Sequence, residues 1–190
     1  MATQAVQFEK PRFRTLDLVY VAVGAALIAV CSWISIPMTV PFTLQTFAVF
    51  FLMAALGGKR GTAAVLVYIL LGAVGLPVFA GFSGGIGVLL GSTGGYIFGF
   101  LLLGLVYLLM TKLFGEKLPV VIAALVIGLA VCYAFGTAWF MFVYTKANGA
   151  VGLGTVLGWC VFPFIIPDLV KLSLALVIAR RIAPILNHNS

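Results

Sequence analysis

Charged side chains are scarce in this sequence: lysine, arginine, aspartate and glutamate make up 8% of its 190 residues, and apolar residues make up 64%. A soluble domain carries roughly a quarter charged residues, which cover its surface. Because that polar surface is missing here, most of the exterior must contact lipid. The chain has room for roughly six membrane-spanning helices of about 20 residues, and no length remains for a soluble domain.

Histidine, cysteine and acidic residues are also few, with one, three and four copies, and this argues against most catalytic and metal-binding sites. The single histidine is His188, in the tail, and the three cysteines lie far apart within apolar segments. No metal-ligand spacing and no nucleophile–base set is present, so hydrolysis and metal catalysis are not indicated. We interpret the cysteines as small buried apolar side chains. The net charge of +7 does not indicate nucleic-acid binding, because the basic residues stand in small groups between apolar runs.

Charged residues and glycine or proline turn signals delimit six apolar segments. They cover approximately residues 18–36, 43–56, 62–76, 96–113, 120–144 and 156–182. This pattern predicts one all-α integral membrane domain of six helices over residues 17–186. Residues 1–16 would form a cytoplasmic N-terminal segment and residues 187–190 a tail. The first segment is interpreted as an uncleaved helix, because no small-residue cleavage site follows the basic residues before it.

The basic residues predict which side of the membrane each loop occupies. With both termini inside, nine lysines and arginines lie on the cytoplasmic side, Lys146 lies outside and Lys171 falls within the last segment. Both termini are therefore predicted to be cytoplasmic. Several prolines and a glycine-rich stretch fall on the outer side. Irregular backbone at membrane depth is tolerated only against protein or a water-filled cavity, so we expect an outward-facing pocket roofed by these loops.

Asp168 is the one acidic residue that falls inside an apolar segment rather than at its boundary. A lone aspartate near the centre of a span disfavours insertion by about 2.5–3.5 kcal/mol, so it marks a candidate site. Lys171 follows three residues later, on the same helix face, and Pro167 as a first helical residue would place Asp168 near a helix start.

This pair has two interpretations. In one, Asp168 and Lys171 neutralise each other and merely let the helix insert. In the other, they bind a ligand, with Asp168 accepting hydrogen bonds from N–H groups and Lys171 donating to a carbonyl or carboxylate.

Glycines cluster in Gly81-Phe82-Ser83-Gly84-Gly85 and in Gly91-Ser92-Thr93-Gly94-Gly95. A phosphate-binding loop would need a following lysine or a GxGxxG pattern after a strand, and neither is present. Tight turns and close helix contacts are one interpretation. The other, compatible with it, is backbone that approaches a ligand, with Phe79, Phe82 and Tyr96 as apolar walls.

Ala22 and Ala26 form a small-xxx-small pair in the first segment. Such a pair lets another helix approach closely. That helix could belong to this chain or to another subunit, and the spacing alone does not distinguish the two.

Four blocks closely resemble the BioY family, the biotin-binding substrate (S) components of energy-coupling factor (ECF) transporters: residues 57–61, 71–85, 90–96 and 163–171. The similarity runs over nearly the whole chain in order and spacing. It implies a six-helix S-component fold in a prokaryotic plasma membrane. Ser92 departs from the pattern where the family is expected to carry proline, which puts the rigidity of that loop in question.

The resemblance also implies ligands and partners. Biotin would bind near the outer face. The partners would be a transmembrane coupling (T) subunit and two ABC-type ATPase subunits, which would use ATP. The chain itself would not be an enzyme and would need no cofactor. Asp168 and Lys171 would contact the polar groups of biotin, and Ala22 and Ala26 match the motif by which S components dock on the T subunit. The full set of candidate ligand-binding residues is Asp168, Lys171, Gln45, Phe79, Phe82, Gly84 and Tyr96. An S component for another vitamin and an intramembrane enzyme are the alternatives.

Overall fold

The computed structural model describes residues 15–187, with side chains to residue 182. Most of the predicted N-terminal segment and His188 lie outside the described residues. Helices dominate, and they are α1 (Thr15–Trp33), α2 (Gln45–Ala73), α3 (Ile86–Leu90), α4 (Gly94–Phe114), α5 (Leu118–Asn148), α6 (Leu153–Cys160) and α7 (Phe162–Asn187). A short antiparallel hairpin pairs β1 (Ser35–Ile36) with β2 (Phe42–Thr43), and a 3-10 turn spans Ala80–Phe82.

Within residues 15–187, five helical stretches are long and apolar enough to cross a membrane: Thr15–Trp33, Gln45–Ala73, Gly94–Phe114, Leu118–Asn148 and Leu153–Ile182. Helices suit this role because they satisfy their own backbone hydrogen bonds in lipid. The last stretch joins α6 and α7 through a bend at Val161. The first, fourth, fifth and sixth predicted segments each match one stretch, and the second and third both fall within α2.

The helix α2 reverses direction at Gly57. This residue has φ 79° and ψ 168°, a region that is essentially restricted to glycine. On either side of it, the Thr62 hydroxyl lies 3.9 Å from the sulfur of Met53. That contact requires the chain to fold back, so residues 45–56 and 58–73 pack side by side as two arms of α2.

The bundle is held by close pairing of α1 with α2, α4 with α5, and α7 with α2. Gly24 of α1 faces Ala64 and Leu52, one from each arm of α2. Gly136 of α5 lies against the ring of Tyr96 so closely that a side chain there would overlap it. This contact brings α4 and α5 together and seats Tyr96 at the end of the bundle. The three cysteines are free thiols and buried, as predicted.

Candidate ligand-binding site

A cavity of about 170 Å³ lies at the end of the bundle that carries the β-hairpin and the loop after α2. Its walls are mainly apolar and aromatic, with Val40, Phe79, Val88, Ile97, Phe100 and Phe164 among them. Engineered apolar cavities of about 150 Å³ accept benzene, so this volume suits a ring. Polar groups are concentrated in one corner, where α7 meets the beginning of α2.

Asp168 is the centre of that corner and is only 1% exposed. Its Oδ1 accepts hydrogen bonds from the Thr46 hydroxyl at 2.8 Å and from Lys171 Nζ at 2.9 Å. Its Oδ2 accepts one from the Tyr133 hydroxyl at 2.6 Å. Helices α2, α5 and α7 therefore each supply a donor to this carboxylate, which fixes its orientation.

Lys171 uses all three of its N–H donors within the protein. Besides Asp168, the ammonium donates to the Thr43 carbonyl oxygen at 2.7 Å and to the Thr46 hydroxyl at 3.1 Å. It also lies 4.0 Å from the centre of the Phe42 ring, a cation–π contact. The buried positive charge is thus fully compensated, and Lys171 could donate to a ligand only by releasing one of these bonds.

The hydrogen bonds leave acceptors, not donors, available in this corner. A carboxylate has roughly four acceptor positions, and three of those on Asp168 are filled. The remaining position is on Oδ2, beside the Tyr133 oxygen, whose own proton is already donated. Such a corner binds a group that brings N–H donors, and it suits a free carboxylate poorly.

The cavity is roofed by residues 77–83, which we call the roof segment. It supplies Phe79, Ala80 and Ser83 to the cavity. The end of α1 holds it in place: the Ser32 hydroxyl lies 2.5 Å from the Val78 carbonyl oxygen, and the Trp33 indole N–H donates to the Pro77 carbonyl oxygen at 2.8 Å.

Gln45 links the polar corner to the interior of the bundle. Its Nε2 donates to the Tyr68 hydroxyl at 2.5 Å, and its Oε1 accepts from the Thr43 hydroxyl at 3.0 Å. Thr43 also supplies the carbonyl oxygen that binds Lys171. Gln45 therefore helps to hold the turn before α2 in the position that the polar corner needs.

The structure brings five of the seven candidate ligand-binding residues to one cavity. Asp168, Lys171, Gln45, Phe79 and Tyr96 all line it. Phe82 and Gly84 are not among its lining residues. The Phe82 ring is 64% exposed and stacks on Trp33, with ring centres 5.1 Å apart. Gly84 packs against the backbone of Leu76.

The predicted position of Asp168 near a helix start is wrong. Helix α7 begins at Phe162, so Asp168 lies in its second turn and Pro167 is an internal residue. Pro163 is the proline of the first turn, where a missing N–H is harmless. Asp168 is therefore stabilised by its three side-chain donors rather than by a helix terminus.

Sequence reasoning missed several residues of the site. Thr43, Thr46 and Tyr133 hold the charged pair, and Cys132 and Cys160 line the cavity. A threonine or tyrosine is common in an apolar helix, so neither stands out. A buried aspartate needs hydrogen-bond donors, and this was the available signal. The sequence does not show which residues supply those donors.

Ala22 and Ala26 are exposed on one side of α1, whereas the adjacent Gly24 and Ala25 are buried. Gly24 supplies the close contact with α2. Among residues 15–187, the alanine pair therefore does not pack against another helix. Its small side chains face outward, where lipid or another subunit would lie.

Within residues 15–187, no three histidine, cysteine, aspartate or glutamate side chains lie close enough together to hold a metal ion. The cavity can bind a ligand through hydrogen bonds and apolar contact.

Comparison with known proteins agrees with the family resemblance of the sequence. The sequence profile of the BioY family matches residues 3–188. The chain belongs to the BioY family. It is 45% identical over 167 residues to the biotin transporter BioY of Thermotoga maritima, a match that covers 87% of this chain and 95% of that protein. It is 35% identical over 176 residues to the biotin transporter BioY2 of Lactococcus lactis, covering 92% of this chain and 93% of that one.

A solved structure shares the fold of this BioY family member. It is the crystal structure of the S-component for biotin from an ECF-type ABC transporter, matched with a TM-score of 0.73 and 32% sequence identity. The match covers 88% of this chain and 90% of the other. The predicted family and S-component architecture are thereby confirmed.

Proposed function

We propose that this chain is the biotin-binding membrane subunit of a prokaryotic uptake transporter. It captures biotin at the outer face and delivers it together with a coupling subunit and two ATPase subunits. The biotin transporters among its relatives and its S-component fold support this role. As a member of a transporter family, the chain is not an enzyme.

The observation that carries this proposal is the acceptor-rich corner around Asp168 in an aromatic cavity. The ureido ring of biotin has two N–H donors and one carbonyl. An N–H can bind the open position on Asp168 Oδ2, next to the Tyr133 oxygen. The ureido carbonyl can accept a hydrogen bond from Lys171 Nζ in place of the Thr46 hydroxyl. The bond to Thr46, at 3.1 Å, is the longest of the three that Lys171 donates.

The apolar body of biotin would lie against the aromatic walls. Phe79 from the roof segment and Tyr96 from α4 both line the cavity, and both are buried. Burial of apolar surface favours binding by about 25 cal/mol per Å². Phe82 and Gly84 would act indirectly, by shaping the roof segment.

In the membrane, we propose six spans with both termini cytoplasmic. The reversal at Gly57 supports this count, because the two arms of α2 run in opposite directions and each would then be a separate crossing. The positions of three lysines support the orientation, because basic residues are enriched on the cytoplasmic side. Lys59 lies at the reversal of α2, Lys112 at the end of α4 and Lys117 at the start of α5, all at the end of the bundle opposite the cavity. The cavity then opens to the outside.

Titration of the detergent-purified protein with biotin tests the proposal through tryptophan fluorescence. Trp33 holds the roof segment, and Trp139 donates to the Gly91 carbonyl oxygen at 3.0 Å beside α4. We expect a saturable change at low biotin concentration. Lipoate is the matched control, because it has a sulfur ring and a similar carboxylate tail but no N–H donors. Equal affinity for lipoate, or no binding of biotin, would contradict the proposal; tight binding of a different vitamin would favour the alternative S component.

A further inference from the structure

A second cavity, of about 670 Å³, lies at the opposite end of the bundle from the candidate ligand site. It is an open cleft bordered by the first turn of α1, the reversal of α2 at Gly57 and the last turns of α4. The charged residues that line it are Asp17, Lys59, Arg60, Lys112 and Glu116. None of these residues contributes to the cavity around Asp168.

The charged residues that the structure describes in this cavity leave a surplus of one positive charge. Arg60 pairs with Asp17 at 2.6 Å and also lies over the Tyr20 ring, 5.4 Å from its centre. Lys59 and Lys112 are exposed and form no ion pair among the described residues. Glu116 offsets one of these two lysines. The net charge of the lining therefore complements a group that carries one negative charge.

Apart from Thr111, whose hydroxyl donates to the Tyr107 carbonyl oxygen at 2.8 Å, the rest of the lining is apolar. Leu56 and Leu108 lie between the charged groups, and Gly57 and Gly58 expose backbone there. Gly58 approaches the backbone of Leu108 so closely that a Cβ would lie 3.0 Å from its Cα. A mainly apolar floor with a basic rim, at the end of a bundle of apolar helices, matches the glycerol and headgroup region of a phospholipid.

We propose that this cavity binds the phosphodiester headgroup of an anionic membrane lipid. Lys59 and Lys112 bind the phosphate, and Leu56 and Leu108 contact the glycerol region and the upper part of the chains. Basic pockets between transmembrane helices on the cytoplasmic side bind anionic headgroups in other membrane proteins. The Arg60–Asp17 pair shapes the wall without adding net charge.

Native mass spectrometry of the purified full chain tests this proposal with dihexanoyl phosphatidylglycerol as the probe and dihexanoyl phosphatidylcholine as the comparison. We expect selective binding of phosphatidylglycerol. K59Q/K112Q should weaken it by on the order of ten- to thirty-fold, since each lysine near an anionic group contributes about a factor of five. E116Q removes the lining carboxylate that is not paired with Arg60 and should strengthen the binding of phosphatidylglycerol several-fold.

The matched control is K117Q/K146Q, which removes the same amount of charge from residues that do not line the cavity. This control should bind phosphatidylglycerol like the unmodified protein. Two outcomes would overturn the proposal: unchanged binding of phosphatidylglycerol by K59Q/K112Q, or an equal loss of binding in the control. If lipid binding by K59Q/K112Q is unchanged but co-purification with the coupling subunit is lost, the surface belongs to a protein partner instead. The lipid readout does not depend on biotin, so its failure is distinct from a failure of the proposed transport function.

Discussion

The Nε2 atom of Gln45 lies 2.5 Å from the Tyr68 hydroxyl oxygen, although 23 residues separate the two along the chain. In a continuous α-helix this separation would be roughly 35 Å, at a rise of about 1.5 Å per residue. The contact therefore exists only because α2 folds back at Gly57. The same reversal places Gln45 beside Thr43 and so helps to organise the polar corner.

Replacing Gly57 by alanine should destabilise the protein by about 1–3 kcal/mol, because its φ of 79° and ψ of 168° exclude a Cβ. Thermal unfolding in detergent measures the effect as a lower midpoint temperature. Gly154→Ala is the matched control, since Gly154 has an ordinary φ and open space where the Cβ would lie. Equal midpoints for the two variants would contradict the role of Gly57.

Cysteine labelling of intact cells tests the proposed orientation. In a background without the three native cysteines, Lys146→Cys should react with a membrane-impermeant thiol reagent. Lys59→Cys and Arg181→Cys should react only after the cells are opened. Labelling of position 59 from outside would place the turn of α2 on the wrong side and reject both the span count and the orientation.

Much of this architecture could be predicted because lipid imposes strong constraints on a sequence. Apolar length located the spans, and the rarity of a buried aspartate singled out Asp168. The partners Thr46 and Tyr133 could not be predicted, because they lie 122 and 35 residues from Asp168 and are ordinary residues of apolar helices. Phe82 was expected to line the cavity because it lies in the loop that roofs it. The sequence does not reveal on which side of that loop the Phe82 ring lies.

Trp33→Phe should accelerate the release of biotin. The variant keeps an aromatic ring to stack on Phe82 but loses the hydrogen bond to the Pro77 carbonyl oxygen. A hydrogen bond of this kind contributes about 0.5–1.5 kcal/mol, so the roof segment should open and the dissociation rate should rise by roughly two- to ten-fold. Chase of bound radiolabelled biotin measures the rate. Trp159→Phe is the control, because Trp159 is equally exposed, at 36%; equal rates would mean that the roof segment does not limit release.

Replacing Ala22 and Ala26 by leucine should abolish co-purification with the coupling subunit while biotin binding stays intact. The larger side chains would prevent a close helix approach on this face. Ala130 and Ala134 of α5 have the same spacing and are also exposed, so the corresponding double leucine variant is the control. Normal assembly of the Ala22/Ala26 variant would show that this face contacts lipid only.

The last prediction separates the two interpretations of Asp168 and Lys171. Asp168→Asn keeps the shape of the side chain but replaces one acceptor oxygen with an NH₂ group, which would oppose an N–H of the ligand. Hydrogen bonds to charged groups contribute about 1.5–3 kcal/mol, so biotin binding should weaken by roughly ten- to a hundred-fold. Lys171→Met keeps an unbranched apolar stem, loses the three donated bonds and should weaken binding by a similar factor.

The double variant Asp168→Asn/Lys171→Met gives the decisive comparison, because each single change leaves one buried charge without its partner 2.9 Å away. If the pair serves only insertion, the single variants fold poorly, and the double variant recovers both expression and full biotin affinity. If the pair belongs to the site, the double variant recovers expression but still binds biotin weakly, because the acceptor on Asp168 is gone.

Tyr133→Phe adds a matched test, since it removes one donor to Asp168 Oδ2 while both charges remain. It should change the affinity for biotin and leave the thermal midpoint nearly unchanged. A lower midpoint with unchanged affinity would assign Tyr133 to stability alone.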